Sequence, residues 1–206
     1  KEHRVTVSNQ TPSAFYALMN EEIHTEAEDL NLRYVIFGGE ALAPGKIKPW
    51  QARYPLTRLI NMYGITETTV HVTFKEITGK EIQGNLCSIG KPIPTLFVYV
   101  LDSRMQPAAV GAPGQLCVGG EGLARGYLNQ PGLTAEKFVE NPHKRGSRLY
   151  RSGDLVRFLN NGEMEYLGRM DSQVQLRGFR VEPGEIENRL TACPLVKEVV
   201  VNVWED

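Results

Sequence analysis

The chain has 206 residues, 41% of them hydrophobic, which is enough to bury a core and too apolar for a disordered segment. A formal net charge of −1, with acids and bases evenly mixed, argues against a nucleic-acid groove or a polybasic membrane patch. No apolar run approaches the roughly 18 residues of a membrane span, and KEHRVTVSNQ at the start has no signal-peptide character, so the expected compartment is the cytosol.

Over residues 1–84, β-rich runs alternate with helical patterns. VTVSN from Val5, RYVIFGG from Arg33 and LTRLINMYG from Leu56 read as strands, and PSAFYALMNEEIH and PGKIKPWQARY read as helices. Thr11 before Pro12 supplies an N-cap and a preset first turn. This alternation predicts a layered α/β unit. Over 85–170 the runs become short strands punctuated by Gly and Pro, namely LFVYVLD, GQLCVGG, RLYRSGD, LVRFLNNG and EMEYLG. They predict a small β-barrel or curled sheet. Over 171–206 a hairpin, QVQLRGFRV, alternates Val174 and Leu176 with Gln173, Gln175 and Arg177; a helix, PGEIENRLTAC, and a strand, VKEVVVNVW, follow. Both ends of the chain fall on strands with nothing to pair them, so a fragment of a larger domain is expected.

Several familiar signatures fail. GGEGLARG has Arg125 where a dinucleotide fingerprint needs its third glycine, and no GxxxxGK[ST], HExxH or GxSxG occurs. Cys87, Cys117 and Cys193 are widely spaced with no CxxC pair, and are expected to be inert thiols that hold no metal.

A series of other stretches is more particular: GGEAL (38–42), NMYGITETT (61–69), GQLCVGGEGLARGYL (114–128), YRSGDL (150–155) and GRMDSQVQLRGFRVEPGEIE (168–187). In order and approximate spacing they resemble successive core motifs of the adenylation domains of nonribosomal peptide synthetases, in the acyl-adenylate-forming superfamily. That family's earlier phosphate-loop motif and its final lysine motif are not in this sequence. The resemblance implies a partial acyl-adenylate-forming fold of mixed α/β and β class: a layered α/β subdomain, a small β-barrel subdomain, and the start of an α+β carboxyl-terminal lid. It implies an ATP-dependent ligase that converts an amino acid to aminoacyl-AMP and pyrophosphate and passes the acyl group to a carrier's phosphopantetheine thiol. The piece alone is not expected to be active.

Site roles follow from the same resemblance. Tyr63 would stack on adenine, and Asn61 would face its edge. Gly64 would allow a tight turn, Thr66 would lie near phosphate, and Glu67 would hold Mg²⁺ through a hard oxygen ligand. Asp154 would accept bonds from the ribose hydroxyls, and Arg169 would approach the ribose and the adenylate's bridging oxygen. Gly38, Gly39 and Glu40 would bring backbone and polar groups to the nucleotide at a strand's carboxyl end. Asp171 would be the hinge of the lid, and Gly178 would line the pantetheine tunnel. GQLCVGGEGLARGYL reads as scaffold without a catalytic role. Taken singly, Glu67 or Asp154 would pass for a turn residue and Arg169 for a surface cation.

The family's selectivity positions fall on Asn9, Ile36, Gly38, Met62, Val70 and His71, and that set resembles the threonine-activating signature. Ile36, Met62 and Val70 suit a methyl, while Asn9 and His71 offer hydrogen bonds to a hydroxyl. The implied partners are L-threonine, carrier and condensation domains of the same synthetase, and an MbtH-like protein seated at Ala135 in GLTAEKF. Two alternatives stay open: an aryl- or fatty-acyl-CoA ligase of the same superfamily, and a catalytically silent nucleotide-binding scaffold.

Overall fold

The computed structural model describes residues 3–25, 30–176, 178–193 and 195–204; Arg177, read above as a polar hairpin position, lies outside them. Strand β1 (Val7–Gln10) leads to Thr11, whose hydroxyl accepts the Ala14 N–H at 3.4 Å and starts α1 (Pro12–Ile23). Phe15 and Met19, one turn apart on α1, point into the core beneath β2 (Tyr34–Phe37). Phe15 meets Phe37 and Trp50 edge-on at 5.0 and 4.9 Å between ring centroids.

The helix expected from Pro44 is two short pieces, a 3₁₀ turn over Pro44–Ile47 and α2 (Lys48–Arg53). Pro49 has no N–H to give back to the preceding turn, which closes instead with a tighter bond from Lys46 N to Ala43 O at 3.0 Å. Strand β3 (Arg58–Asn61) pairs parallel with β2, as β2 does with β1. The chain then turns antiparallel through β4 (Thr73–Ile77), a short α3 (Gly79–Gly84) with a Thr78/Glu81 capping box, and β5 (Ser88–Pro92).

Next come β6 (Leu96–Leu101), β7 (Gly114–Gly120), α4 (Pro131–Lys137), β8 (Phe138–Glu140), β9 (Arg148–Phe158) and β10 (Met164–Arg169). All these strands form one sheet in the order β1-β2-β3-β4-β5-β10-β9-β7-β6, with β8 on β9. Its antiparallel half curls into a half-barrel. The side chains pack in separate clusters: one around Phe15, Val35 and Trp50, the next around Val72, Leu116, Val156 and Met164.

RLYRSGD and LVRFLNNG, read as two strands, are the single eleven-residue β9. Gly153 inside it takes φ +77°, and the pairing register shifts against both β7 and β10 around it. This bulge bends the strand without ending it. After β10 a separate two-stranded sheet, β11 (Val174–Leu176) with β12 (Phe179–Val181), precedes α5 (Pro183–Thr191). The strand expected over VKEVVVNVW does not form among the described residues. No ladder takes up its backbone, and the Val201 N–H goes to the Glu187 carboxylate at 2.9 Å. Among the described residues no helix is long and apolar enough to cross a membrane.

Candidate active site

A cleft of about 530 Å³ opens where the carboxyl ends of β2 and β3 meet β9, β10 and the β11–β12 hairpin. Parallel strands commonly offer ligand crevices at these ends, where the chain leaves the sheet. Of the residues singled out in the sequence, Asn9, Gly38, Gly39, Glu40, Asn61, Met62, Tyr63, Gly64, Thr66, Val70, His71, Asp154, Arg169 and Gly178 line it. Glu67 and Asp171 stand one bond behind the wall, through Arg180 and Arg169. Ile36 is outside it. On β2 the side chains alternate: Val35 and Phe37 are the ones in the core, and Ile36 takes the other face together with its register partner Asn9, which does line the cleft.

The loop after β3 is shaped by close packing. A Cβ on Gly64 would lie 1.7 Å from the Val70 carbonyl oxygen, so a side chain there would push apart the turn that carries Thr66 and His71. Thr69 and Val70 both take positive φ, 61° and 70°, an uncommon conformation for branched residues. It leaves Val70 largely exposed on the cleft wall. His71 is partly buried, and desolvation lowers its pKa, favouring the neutral imidazole.

Asp154 and Arg169 are cross-strand partners in the β9–β10 pairing. Asp154 is 3% exposed; Oδ1 accepts from Arg169 Nη1 at 2.9 Å, and Oδ2 accepts from the Tyr63 hydroxyl. Burial pushes its carboxyl pKa up, only partly offset by the Tyr63 bond and the Arg169 charge. Tyr63 is pushed well above the ordinary phenol value by burial and by the Asp154 charge, so it remains a donor. Arg169 also donates to Asp171 Oδ1 and Oδ2 at 2.8 and 2.6 Å, to Ser152 O at 2.9 Å and to Gln173 Oε1 at 3.0 Å. Burial would raise the Asp171 pKa, and its pairing with Arg169 outweighs that and lowers it. The hinge candidate is thus clamped to the sheet by a fixed guanidinium.

Glu67 is 7% exposed. Arg180 Nη1, from the hairpin, lies 2.9 and 3.0 Å from its two oxygens, and the Tyr127 hydroxyl donates to Oε1 at 2.6 Å. Burial alone would raise the Glu67 pKa; bonds from Tyr127 and Tyr150 and the Arg180 charge outweigh it and hold the carboxylate ionised. Burial and the same carboxylate push the Tyr127 phenol above its usual value. Among the described residues no group of three or more His, Cys, Asp or Glu gathers as a metal cluster.

Other expected ligands have protein partners. Glu40 accepts from the Ser13 N–H and hydroxyl at 3.0 and 2.9 Å, and the Asn61 side-chain amide donates to Ser88 O at 3.2 Å. Gly178, at φ +81°, sits where a Cβ would come within 2.9 Å of Thr11 Cγ2. Sequence reasoning missed Tyr127, Tyr166, Gln175 and Arg180. Only Arg180 left a trace, as a lone cation in GFRVEPGE beside its predicted turn. Among the thiols, Cys117 is buried, which pushes its pKa up to about 11, and Cys87 lies on the cleft wall.

These positions can be compared with known proteins. A family model described as AMP-binding enzyme matches residues 1–128. A plipastatin synthase of Bacillus subtilis (strain 168) is 56% identical over 201 residues, covering 98% of this chain and 8% of that protein. The solved structure of holo-PA1221, a nonribosomal peptide synthetase protein with adenylation and PCP domains bound to a vinylsulfonamide inhibitor, superposes with TM-score 0.84 at 31% identity. It covers 94% of this chain and 33% of that one. The synthetase FmoA3 in its α-methyl-L-serine-AMP bound form gives TM-score 0.77 at 34% identity over 82% of this chain and 19% of that one. The chain thus spans well under half the length of the relatives it matches. With the matched model, the order of motifs and the cleft built from them in agreement, the chain belongs to the AMP-binding enzyme family and is of the type found in the adenylation domains of nonribosomal peptide synthetases.

Proposed function

We propose that this chain forms the nucleotide and amino-acid cleft of a cytosolic enzyme that adenylates L-threonine and passes it to a carrier domain in nonribosomal peptide synthesis. The observation that carries the reading is the convergence of Tyr63, Thr66, Asp154, Arg169, Asn9 and His71 on one cleft from distant motifs. In the first half-reaction a carboxylate oxygen attacks the α-phosphorus of ATP, and pyrophosphate leaves with the electrons of the broken P–O bond. In the second, the phosphopantetheine sulfur attacks the acyl carbon and AMP leaves.

Each residue has a physical part in this. Tyr63 offers an aromatic face to the base, while Asp154, already bonded by Tyr63 and Arg169, keeps lone pairs for the ribose hydroxyls. Arg169 is a cation with its geometry fixed before substrate arrives, the arrangement that best offsets charge developing on a bridging oxygen. Glu67 would hold Mg²⁺: one ionised carboxylate suffices where phosphates and water complete the shell, so the donor chemistry fits. Arg180 covers both its oxygens here, so that fit requires the guanidinium to withdraw. Once bound, the metal would neutralise charge on the phosphates.

Residues 1–84, 85–170 and 171–206 are taken as the α/β subdomain, the curled β subdomain and the lid. The reading makes Asp171, between the large sheet and the separate hairpin, the hinge and makes Gly178 part of the pantetheine path. Threonine is favoured by a cleft lined by polar Asn9 and His71 together with apolar Met62 and Val70, which can supply the methyl contact without Ile36. A hydroxylated aminoacyl-AMP in the related FmoA3 supports a pocket of this kind. The adenylation and PCP domains joined in PA1221 support a carrier partner, and exposed Ala135 on α4 leaves room for an MbtH-like protein beside condensation domains.

The test is amino-acid-dependent pyrophosphate exchange by a complete adenylation domain carrying this sequence. Threonine should support exchange, and Glu67→Gln should lower the rate at least about 100-fold, since a charge that orders metal and phosphates is lost. Exchange near the parent rate in that variant would return Glu67 to a purely structural role.

A further inference from the structure

The GQLCVGGEGLARGYL stretch reads as scaffold in sequence, yet its tyrosine reaches into the site. We propose that Tyr127 is a positioning residue of the active site, gripping Oε1 of Glu67 so that Oε2 is presented to the cation that accompanies the nucleotide. This rests on the adenylation reading above and adds to it the group that aims the carboxylate.

The geometry is built rather than incidental. Residues 122–127 are stitched along the turn that carries Glu67: the Ala124 N–H donates to the Glu67 backbone carbonyl at 2.8 Å, and the Thr69 hydroxyl donates to Gly122 O at 2.7 Å. Arg148 holds the carbonyls of Ala124 and Arg125 at 3.1 Å each. The Tyr127 N–H donates to Thr134 Oγ1 at 2.9 Å, and its ring packs edge-on against Phe138 at 5.5 Å. Gly126 lets the loop approach α4, since a Cβ there would fall 2.4 Å from Thr134 Cγ2. The phenol is therefore fixed through backbone, ring and hydroxyl, with the Tyr150 hydroxyl 3.2 Å behind it. Its bond to Oε1, at 2.6 Å, is of the short charge-assisted kind.

Arg180 and Tyr127, two of the groups that hold Glu67, differ in where they are anchored. Arg180 belongs to the β11–β12 hairpin, a sheet of its own, whereas Tyr127 belongs to a loop held to β8 by the Phe138 ring and to β9 by Arg148 and Tyr150. When the guanidinium withdraws, Tyr127 stays, and the carboxylate keeps its rotamer instead of becoming a free acid on a loop. Preorganisation of this sort matters when a small displacement of a charged group costs rate.

The experiment uses a complete adenylation domain carrying this sequence, with Mn²⁺ as the spectroscopic probe. Tyr127→Phe keeps the ring and removes only the hydroxyl. It should weaken Mn²⁺ binding in the presence of ATP, read by electron paramagnetic resonance, by about 10-fold. Exchange kcat should fall similarly, with the KM for the amino acid within about twofold of the parent. In a Glu67→Gln background the same change should add nothing to either loss. Leu128→Ala, an exposed neighbour in the same loop, should leave Mn²⁺ binding as it is. Parent-like Mn²⁺ affinity in Tyr127→Phe, additive losses in the double variant, or an equal loss in Leu128→Ala would each overturn the positioning role while adenylation stands. A parent domain with no amino-acid-dependent exchange would overturn the adenylation reading, and this role with it.

Discussion

Arg180→Gln isolates the contact between the hairpin and the body of the protein. The guanidinium touches both oxygens of a carboxylate that is 7% exposed, and breaking a fully buried pair costs about 3–5 kcal/mol. The Arg180 side chain is itself 35% exposed, so solvent screening pulls the figure toward the exposed-pair range of about 0–1 kcal/mol. Tyr127 still satisfies Oε1 in the variant. The balance is about 1–2 kcal/mol, or roughly 5–30-fold in an opening equilibrium. The loss should be local, because β11 and β12 share no ladder with the large sheet. Hydrogen exchange followed by mass spectrometry on the 206-residue chain should therefore show faster exchange over 174–181 by that factor, with β2 and β3 unchanged. Glu67→Gln should act in the same direction, and the double variant should exceed the larger single by little. Acceleration spread equally over β2 and β3, or none at all, would refute the reasoning.

Two further outcomes are expected. If Asn9 and His71 bond the threonine hydroxyl, valine leaves both unpaired and should fall at least about 100-fold in kcat/KM for exchange, while serine, lacking one methyl, should fall only about 10- to 100-fold. His71→Leu should shrink the threonine-over-valine ratio more than the threonine-over-serine ratio, and valine outcompeting serine in the parent would reject the pocket. Lys75 bridges Glu81 at 3.0 Å and Glu163 at 2.8 Å; burial would raise the Glu81 pKa, but bonds from Thr78 and Lys75 outweigh it and bring it down to about 2. A carboxyl lowered in the fold contributes stability above its unfolded value, and that contribution is lost as pH falls toward 2. Lys75→Met should move the acid-unfolding midpoint upward by on the order of half a pH unit, read by fluorescence of buried Trp50; an unmoved midpoint would count against it.

What the sequence made legible was whatever local chemistry decides. Thr11 and Pro12 announced α1, and the structure adds that Phe15 and Met19 form its buried face. The segment from β4 to β5 was not legible because what pins α3 to the strands is an ion pair between Lys75 and buried Glu81, distant enough in sequence that no local pattern announces it. Asp154 and Arg169 were found through their motifs, but their pairing is a matter of cross-strand register, which a one-residue slip would undo. Tyr127 meets Glu67 through a loop that belongs to no ladder, so no periodicity points to it. VKEVVVNVW carried strand propensity, but propensity forms a strand only where a neighbour is available to pair.

The pairing of β4 with β5, and of β5 with β10, bears on how such enzymes could be recombined. A graft that exchanged residues 1–84 for those of a relative with another amino-acid preference would cut the covalent chain in a short loop, an undemanding place. The hydrogen-bonded fabric would remain uncut, and many bonds would cross the joint, among them Lys75 with Glu163, Asn61 with the Ser88 carbonyl, Tyr63 with Asp154, and Glu67 with Tyr127 and Arg180. Donor and recipient would have to agree at both ends of each. A chimera matched at these pairs should inherit the donor's preference together with the recipient's turnover, while one mismatched at Tyr63 and Asp154 would, on the proposed reading of the cleft, carry its fault at the nucleotide, away from the residues the graft was meant to change.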